Sequence, residues 1–265
     1  MVEYMTNDAS ALAHPQMEKP GSEDMKYLFV VTYGRSGSTV LLNLLNRIDG
    51  YCIRGENHGI TNHLAQAWCV VAKARADYGN EASDPSTPWF GIDRVDAEAF
   101  GSFLADSFCN SVLQPDVGTR VVGFKEVRYS PHDVTDHEYD SMIAFLSENF
   151  EGSRFIFNTR DWNEVANSGW WKQFWSKRRV RRIIEHSNLR FQRSINMLEE
   201  RAFAIDYADY RKNPAGFDPL LRWLGEDVAQ EVVEQVVFTK LNHAVKKFRP
   251  RGLKSRLKKI TRWVF

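Results

Sequence analysis

Residues 27–48 read Tyr-Leu-Phe-Val-Val-Thr-Tyr-Gly-Arg-Ser-Gly-Ser-Thr-Val-Leu-Leu-Asn-Leu-Leu-Asn-Arg-Ile and contain the most informative pattern of the sequence. The first of these residues, 27–31, are apolar and β-rich, which is typical of a strand buried on both faces of a parallel sheet. Apolar residues then recur at helical spacing at Val40, Leu41, Leu44, Leu45 and Ile48. The stretch therefore predicts a strand, a short turn and a helix.

The turn between this strand and this helix consists of Gly34, Arg35, Ser36, Gly37, Ser38 and Thr39. Small residues let the backbone approach a ligand closely, and the first turn of a helix presents free N–H groups and the positive end of its dipole. Arg35 adds a permanent positive charge with a fork of donors. We therefore predict that the turn binds an anion.

Three familiar glycine-rich motifs do not fit this turn. The P-loop of nucleotide triphosphatases needs Gly, four residues and then Gly-Lys-Ser/Thr, but Thr39 stands where the second Gly belongs and no Lys follows it. The nucleophile elbow of hydrolases fails because Ser38 replaces its second glycine. The dinucleotide-binding motif fails for the same kind of reason.

The remaining pattern, Tyr-Gly-Arg-Ser-Gly-Ser-Thr at residues 33–39, resembles the loop that binds phosphosulfate in sulfotransferases that use 3′-phosphoadenosine 5′-phosphosulfate (PAPS). Its Arg-Ser-Gly-Ser form is similar to that of Golgi carbohydrate and tyrosylprotein sulfotransferases and their bacterial relatives. The resemblance implies a P-loop NTPase-like α/β fold, a three-layer sandwich with a central parallel sheet of about five strands. It also implies that residues 34–39 bind the 5′-phosphosulfate of the donor.

A second motif lies at the end of a later predicted strand. Arg160 ends that strand, Asp161 is predicted to cap the following helix, and Ser168 completes the pattern Arg-Asp-x-x-x-Val-x-x-Ser. This pattern resembles a sulfotransferase motif, although Trp162 stands where the family usually has Pro. The resemblance implies that Arg160 and Ser168 together bind the 3′-phosphate of the donor, with Arg supplying a charge-assisted contact.

The candidate catalytic side chains follow two other predicted strands. Glu56, in Arg-Gly-Glu, matches the proposed general base of tyrosylprotein and heparan-type sulfotransferases. A base is needed because a hydroxyl is a poor nucleophile until it loses its proton. His58 is the alternative base, since imidazole does this in cytosolic sulfotransferases. Lys125, at a strand end, and Arg35 are candidates for stabilising the transferring sulfuryl group or the leaving phosphate.

Further donor contacts are implied toward the end of the chain. Tyr207 matches a family Tyr that supports the nucleotide, and Arg249, Arg251 and Gly252 loosely match an Arg-Lys-Gly that reaches the 3′-phosphate in cytosolic sulfotransferases. Aromatic residues that either stack on a sugar or adenine or pack into the core are Trp170, Trp171, Phe174 and Trp175. The basic run 177–182 is either a site for an anionic acceptor or a solvated helix face.

The length of 265 residues, with 43% apolar residues, suits one α/β domain. We predict a flexible leader at 1–24, a sulfotransferase domain at 25–245 and a basic segment at 246–265. The net charge of +1 indicates no overall preference for nucleic acid. The segment 246–265 contains nine Lys and Arg and no acid, and we expect it to pack on the domain or to contact a membrane surface peripherally.

The expected location is a soluble, cytoplasmic one, with bacteria as a candidate source. No apolar run reaches the roughly 18–20 residues of a membrane span, and no signal peptide opens the chain. The number of cysteines is odd, and their spacing is not that of metal ligands; they are Cys52, Cys69 and Cys109. This pattern favours a reduced interior with unpaired thiols.

The predicted reaction moves a sulfuryl group from PAPS to an acceptor hydroxyl and releases 3′-phosphoadenosine 5′-phosphate (PAP). No metal is expected, because Arg35 and Lys125 can supply the charge that Mg²⁺ supplies in kinases. The favoured acceptor is a carbohydrate, with a tyrosyl peptide, a lipid or a small metabolite as alternatives. A phosphotransferase with a degenerate P-loop and an inactive nucleotide-binding homologue are the other hypotheses.

Overall fold

Five parallel strands form one sheet in the structure, a computed structural model that describes residues 25–239. The strands are β1 (Lys26–Val31), β2 (Tyr51–Arg54), β3 (Val121–Glu126), β4 (Arg154–Thr159) and β5 (Ala202–Asp206). They stand in the order β2-β3-β1-β4-β5, and each neighbouring pair is parallel. The predicted α/β class with a five-stranded parallel sheet is confirmed.

Helices connect the strands, as parallel pairing requires. They are α1 (Ser38–Leu45), α2 (Ile60–Tyr78), α3 (Ala97–Phe108), α4 (Asp136–Asn149), α5 (Trp162–Ala166), α6 (Gly169–Phe174), α7 (Lys177–Leu198), α8 (Tyr207–Tyr210), α9 (Asp218–Leu224) and α10 (Gln230–Phe238). A π-helical turn at 109–113 extends α3 toward β3.

The side chains of β1 alternate between two hydrophobic cores. Leu28 and Val30 pack with residues of α1, α9 and α10 on one face of the sheet. Phe29 and Val31 pack with residues of α2, α4 and α7 on the other face. Because β1 is central and covered on both sides, its sequence is a continuous apolar run rather than an alternation of apolar and polar residues. The helices and the sheet thus form the predicted three layers.

The arrangement of helices opens a crevice at the carboxyl ends of the strands. The chain leaves β1 toward α1 on one face, whereas it leaves β3 toward α4 on the opposite face. Loops that diverge in this way leave space between them, which is where parallel α/β sheets bind ligands. The turn at 34–39, Glu56 and Arg160 follow strands at this edge, and Lys125 is the second-last residue of β3.

Some predicted features lie outside the described residues. They are the leader 1–24, the segment 246–265, and its candidate donor contacts Arg249, Arg251 and Gly252. Within residues 25–239, no helix has the length and the apolar character needed to cross a membrane. The three cysteines are all unpaired, as expected from their number and spacing.

Candidate active site

The turn after β1 presents the N-terminus of α1 to the crevice. Gly37 precedes the helix in the left-handed region, with φ of 86°, and among the described residues no side chain caps this end of α1. A Cβ on Gly37 would lie 2.1 Å from Cδ2 of Tyr207. The turn therefore needs glycine for its conformation and for the close approach of Tyr207. Its N–H groups and the helix dipole are available to an anion.

A buried network of polar side chains fixes the turn between β1 and α1. The hydroxyl of Thr32 lies 2.7 Å from the Ser36 hydroxyl and 2.7 Å from the Asn158 carbonyl oxygen. Asn158 Nδ2 donates to the Ser36 carbonyl oxygen at 3.2 Å, and the Tyr210 hydroxyl donates to Asn158 Oδ1 at 2.7 Å. The side chain of Ser36 is fully buried, so this predicted donor-binding residue holds the loop and does not line the crevice.

The crevice contains a cavity of about 480 Å³. The predicted site residues that line it are Gly34, Arg35, Gly37, Ser38, Thr39, Glu56, Lys125, Arg160 and Tyr207. Trp170, from the predicted aromatic cluster, also lines it, and lining residues that the sequence did not single out are Val40, Val127, Val237 and Thr239. The structure therefore brings residues from five separate segments of the predicted motifs to one cavity.

Lys125 and Glu56 form an ion pair inside this cavity. Nζ of Lys125 donates to Oε1 of Glu56 at 2.6 Å. The Lys125 side chain is only 6% exposed, whereas that of Glu56 is 46% exposed. The stem of Lys125 is thus buried in the end of β3, and its ammonium emerges beside a carboxylate that solvent reaches. One cation and one potential base stand in direct contact.

Glu126 fixes the loop that follows Glu56. Its carboxylate is fully buried and accepts backbone N–H bonds from Asn57 at 3.2 Å and Gly59 at 2.9 Å. It also accepts N–H bonds from Val127 at 2.7 Å and Arg128 at 3.2 Å. A buried carboxylate with four N–H donors holds the ends of β2 and β3 together. The sequence signal was an acid at the end of an apolar strand, but its partners could not be read from it.

His58, the alternative base, is held differently. It does not line the cavity, and its Nδ1 lies 2.9 Å from Nη2 of Arg128. Because a guanidinium can only donate, Nδ1 of His58 is the acceptor of this bond and the ring proton is on Nε2. In this arrangement the Nδ1 lone pair of His58 is directed at Arg128 and not into the cavity.

Arg160 is oriented by contacts on several sides. Its Nη1 donates to the Arg35 carbonyl oxygen at 3.0 Å, its Nε donates to Glu164 at 3.0 Å, and its guanidinium lies 4.4 Å from the centre of the Tyr207 ring. Burial acts to raise the pKa of Glu164, but bonds from Arg211 and Arg160 outweigh it and hold that pKa below its usual range. A charged Glu164 thus positions the Arg160 guanidinium.

The backbone of Arg160 is fixed by Tyr33. The Arg160 N–H donates to the Tyr33 hydroxyl at 2.8 Å, and that hydroxyl donates to the Arg160 carbonyl oxygen at 3.0 Å. Burial raises the pKa of Tyr33 well above its usual value, so its hydroxyl keeps the proton that it donates. The end of β4 and the turn after β1 are therefore joined rigidly.

Ser168 contacts Arg35 in the structure. Asp161 caps α5 as predicted, accepting from the N–H groups of Asn163 and Glu164 at 3.0 Å. The helix ends at Ala166, so it does not continue to Ser168, whose Oγ accepts from Arg35 Nε at 3.1 Å. Ser168 does not line the cavity, and the expected joint contact of Ser168 and Arg160 with one phosphate remains a prediction.

Two of the aromatic residues after Ser168 belong to the site. Trp171 is buried, and its Nε1 donates to the Gly34 carbonyl oxygen at 2.9 Å. Trp170 stacks on Trp171 with ring centres 4.2 Å apart, is 41% exposed and lines the cavity. Trp171 packs in the core, whereas stacking of Trp170 on a sugar or on adenine remains a prediction.

Within the described part of the chain, no group of three or more His, Cys, Asp or Glu side chains is arranged to hold a metal ion.

No protein-family model matches the sequence, and no curated protein matches it. Among solved structures, the chain is similar to the crystal structure of sulfotransferase STF9 from Mycobacterium avium, at 12% identity. The similarity covers 80% of this chain and 67% of that chain, with a TM-score of 0.39.

Proposed function

We propose that the chain is a sulfotransferase that moves a sulfuryl group from PAPS to an acceptor hydroxyl. One observation carries this proposal: the N-terminus of α1, which has no side-chain cap among the described residues, lines one cavity with three cations (Arg35, Lys125 and Arg160) and a solvent-accessible carboxylate. The cations beside the helix are Arg35 and Lys125, and the carboxylate is Glu56. This combination suits a donor with a negatively charged leaving group and an acceptor that must lose a proton.

The sheet order supports two places for the anionic groups of the donor. Glu56 follows β2 and Lys125 lies at the end of β3, on one side of β1, whereas Arg160 and Tyr207 follow β4 and β5, on the other side. Neighbouring strands are about 4.8 Å apart, so β3 and β4 are separated by roughly 10 Å across β1. The 5′-phosphosulfate is proposed to bind at the turn after β1, and the 3′-phosphate beside Arg160.

In the proposed step, the acceptor oxygen attacks sulfur while the bond between sulfur and the bridging phosphate oxygen breaks. The acceptor proton passes to Glu56, and the electron pair of the broken bond stays on the 5′-phosphate of PAP. Lys125 and Arg35 neutralise the charge that gathers on that phosphate. The Lys125–Glu56 contact must loosen for this, and the incoming phosphosulfate competes with Glu56 for the ammonium.

The proposed acceptor is a carbohydrate. Trp170 supports this choice, because a partly exposed indole ring lines the cavity and can pack against the apolar C–H face of a sugar ring. A tyrosyl peptide, a lipid and a small metabolite carry hydroxyls too. A transfer assay with radiolabelled PAPS and one acceptor of each class, followed by identification of the labelled product, chooses among them.

The donor is tested by calorimetry of the full chain with PAP and with adenosine 5′-monophosphate, which lacks the 3′-phosphate. We expect Arg160→Ala to weaken PAP binding by about 10- to 100-fold, because one charge-assisted contact is lost, and to leave the monophosphate almost unaffected. Arg211→Ala is the control, since Arg211 also binds Glu164 but does not line the cavity.

Two results would contradict the proposed donor. Equal affinity of the unaltered chain for PAP and the monophosphate would remove the case for a 3′-phosphate site. Transfer of a labelled γ-phosphate from ATP that depends on Mg²⁺, without transfer from PAPS, would identify a phosphotransferase instead.

A further inference from the structure

A second cavity lies beside the start of α7, away from the proposed donor site. It has a volume of about 300 Å³ and is lined by Pro131, His132, Arg179, Arg182, Ile183 and His186. This volume is at the lower end of the range for small-molecule sites, which starts at about 300 Å³. Its lining combines two arginines and two histidines with no acid, so the cavity favours a negatively charged group.

The helix that supplies the arginines has an unfavourable charge distribution. α7 starts at Lys177 with no acid in its first turn, and it has basic residues at 177–179 and at 181–182. Cations near the N-terminus of a helix are disfavoured by the helix dipole. Within residues 25–239, the one ion pair of this run joins Arg181 to Glu185. Stability of the helix therefore does not explain why Arg179 and Arg182 are basic.

The acids of the neighbouring loop contact Arg190, Ser130 and the cavity residue His186, and neither of them contacts Arg179 or Arg182. Asp136 accepts from Nε of Arg190 at 2.6 Å and lies 3.0 Å from Nε2 of His186. Asp133 accepts from the Ser130 hydroxyl at 2.6 Å. These contacts leave the guanidinium groups of the cavity available to a ligand.

Aromatic side chains connect this cavity with the proposed active site. The guanidinium of Arg179 lies 3.6 Å from the centre of the Trp175 ring, and the His132 ring lies 4.5 Å from it. Trp175 is 6.1 Å from the buried Trp171, on which Trp170 stacks at the mouth of the first cavity. Stacking fixes the plane of Arg179 and leaves the edge of the guanidinium free to donate.

We infer that this second cavity binds an anionic group, a carboxylate or a sulfate, of a carbohydrate acceptor whose hydroxyl reacts in the first cavity. The inference rests on the proposed function and narrows its substrate to an acidic glycan. Arg179 and Arg182 bind the anionic group, and the partly exposed rings of Trp170 and Trp175 contact the sugars between the two cavities. An acidic peptide would use the same charges but would gain less from a strip of indole rings.

The test compares the binding of two probes to the full chain saturated with PAP. One probe is a heparin-derived tetrasaccharide, which carries sulfates and carboxylates, and the other is the same tetrasaccharide after desulfation and reduction of its carboxylates. We expect the charged probe to bind at least about tenfold more tightly than the neutral one. The double variant Arg179→Gln/Arg182→Gln should weaken binding of the charged probe by only roughly tenfold, because exposed ion pairs are individually weak. Binding of the neutral probe should barely change, because it has no charge for these arginines to bind.

The matched control is the double variant Arg178→Gln/Arg181→Gln, which removes the same charge from the same part of α7 but changes no residue of the cavity. We expect it to weaken the charged probe less than threefold. An equal loss in both double variants would show attraction to overall charge and would overturn the site. Equal binding of the two probes to the unaltered chain, or no binding of either, would also overturn it.

The affinity for PAP separates this inference from the proposed function. A chain that binds PAP normally and ignores the charge of the tetrasaccharide would overturn the acidic-glycan site and leave the sulfotransferase proposal in place. A chain that binds no PAP would contradict the donor itself. Binding of a hexaglutamate peptide through Arg179 and Arg182, without binding of the charged tetrasaccharide, would overturn the choice of a glycan.

Discussion

Glu56 and Lys125 illustrate how single residues acquire a role only from the fold. They are 69 positions apart in the sequence, and Glu56 follows β2 whereas Lys125 lies at the end of β3. The ion pair places a buried cation and an accessible carboxylate within 2.6 Å of each other. In the proposed mechanism, the phosphosulfate takes this cation from the Glu56 carboxylate, which is then free to accept the acceptor proton.

The role of Glu56 is tested by Glu56→Gln. The amide cannot accept the proton, so we expect kcat to fall by about 10²- to 10⁴-fold while the affinity for PAP changes less than threefold. Single-turnover transfer of labelled sulfate measures the first quantity, and calorimetry measures the second. His58→Gln is the matched control, because Nδ1 of His58 already accepts from Arg128 outside the cavity. Loss of turnover in the control with normal turnover in Glu56→Gln would reverse the assignment.

At the scale of elements, the turn between β1 and α1 depends on the approach of another segment. Gly37 has φ of 86°, and the ring of Tyr207, at the start of α8, occupies the position where a Cβ would point. The backbone of the turn and the ring from the end of β5 are therefore fitted together before any ligand binds. Such preorganised N–H groups bind an anion without a further cost of ordering the loop.

Gly37→Ala should destabilise the chain and abolish PAP binding, because strain in the left-handed region is added to a clash with Tyr207. Gly118→Ala is the control: Gly118 also has φ of 86°, but a Cβ there meets no atom within 4 Å. We expect about 1 kcal/mol of lost stability in the control and at least about 2 kcal/mol more in Gly37→Ala, as overpacking costs. Urea unfolding measures both, and equal losses would mean that the Tyr207 ring moves aside freely.

The same elements show what the sequence could and could not predict. The strand, turn and helix at 27–48 follow from periodicity and from two glycines, which are local properties. The contact of Ser168 with Arg35 does not follow from such local properties. It depends on the end of α5 at Ala166 and on the positive φ of Gly169, which is 54°. The four N–H bonds to Glu126 were equally hidden, since they join segments that only the sheet order brings together.

At the scale of the whole molecule, one carboxylate ties the edge of the sheet to the helices that follow β5. Glu226 lies between α9 and α10. Its carboxylate accepts two hydrogen bonds, both of 2.7 Å, from the guanidinium of Arg120, the residue just before β3. It also accepts from the hydroxyl of Tyr51, in β2, at 3.0 Å. The bonds from Arg120 hold the pKa of Glu226 below its usual range, against the opposing effect of burial.

A lowered pKa in the folded state makes this contact dependent on pH. Its contribution is present above the pKa of Glu in the unfolded chain and is lost as the pH falls through the lower pKa of the folded state. Other carboxylates act in the same direction, since the bond from Arg190 lowers the pKa of Asp136 and the N–H of Thr135 lowers that of Glu138. The whole chain should therefore lose stability as the pH falls below about 5.

The variant Glu226→Gln isolates one part of this acid sensitivity. At pH 7 we expect it to lower the free energy of unfolding by about 1–2 kcal/mol, because the amide keeps the shape of the side chain but loses the charge that Arg120 binds in a bidentate manner. The difference from the unaltered chain should shrink steadily between about pH 5 and pH 3, as protonation removes the same charge from Glu226 itself. Urea unfolding at several pH values measures this, with Glu148→Gln, at an exposed position of α4, as the control, for which we expect a change of less than about 0.5 kcal/mol at pH 7. A difference in Glu226→Gln that stays constant down to pH 3 would show that packing around the side chain, and not its ionisation, joins the sheet edge to these helices.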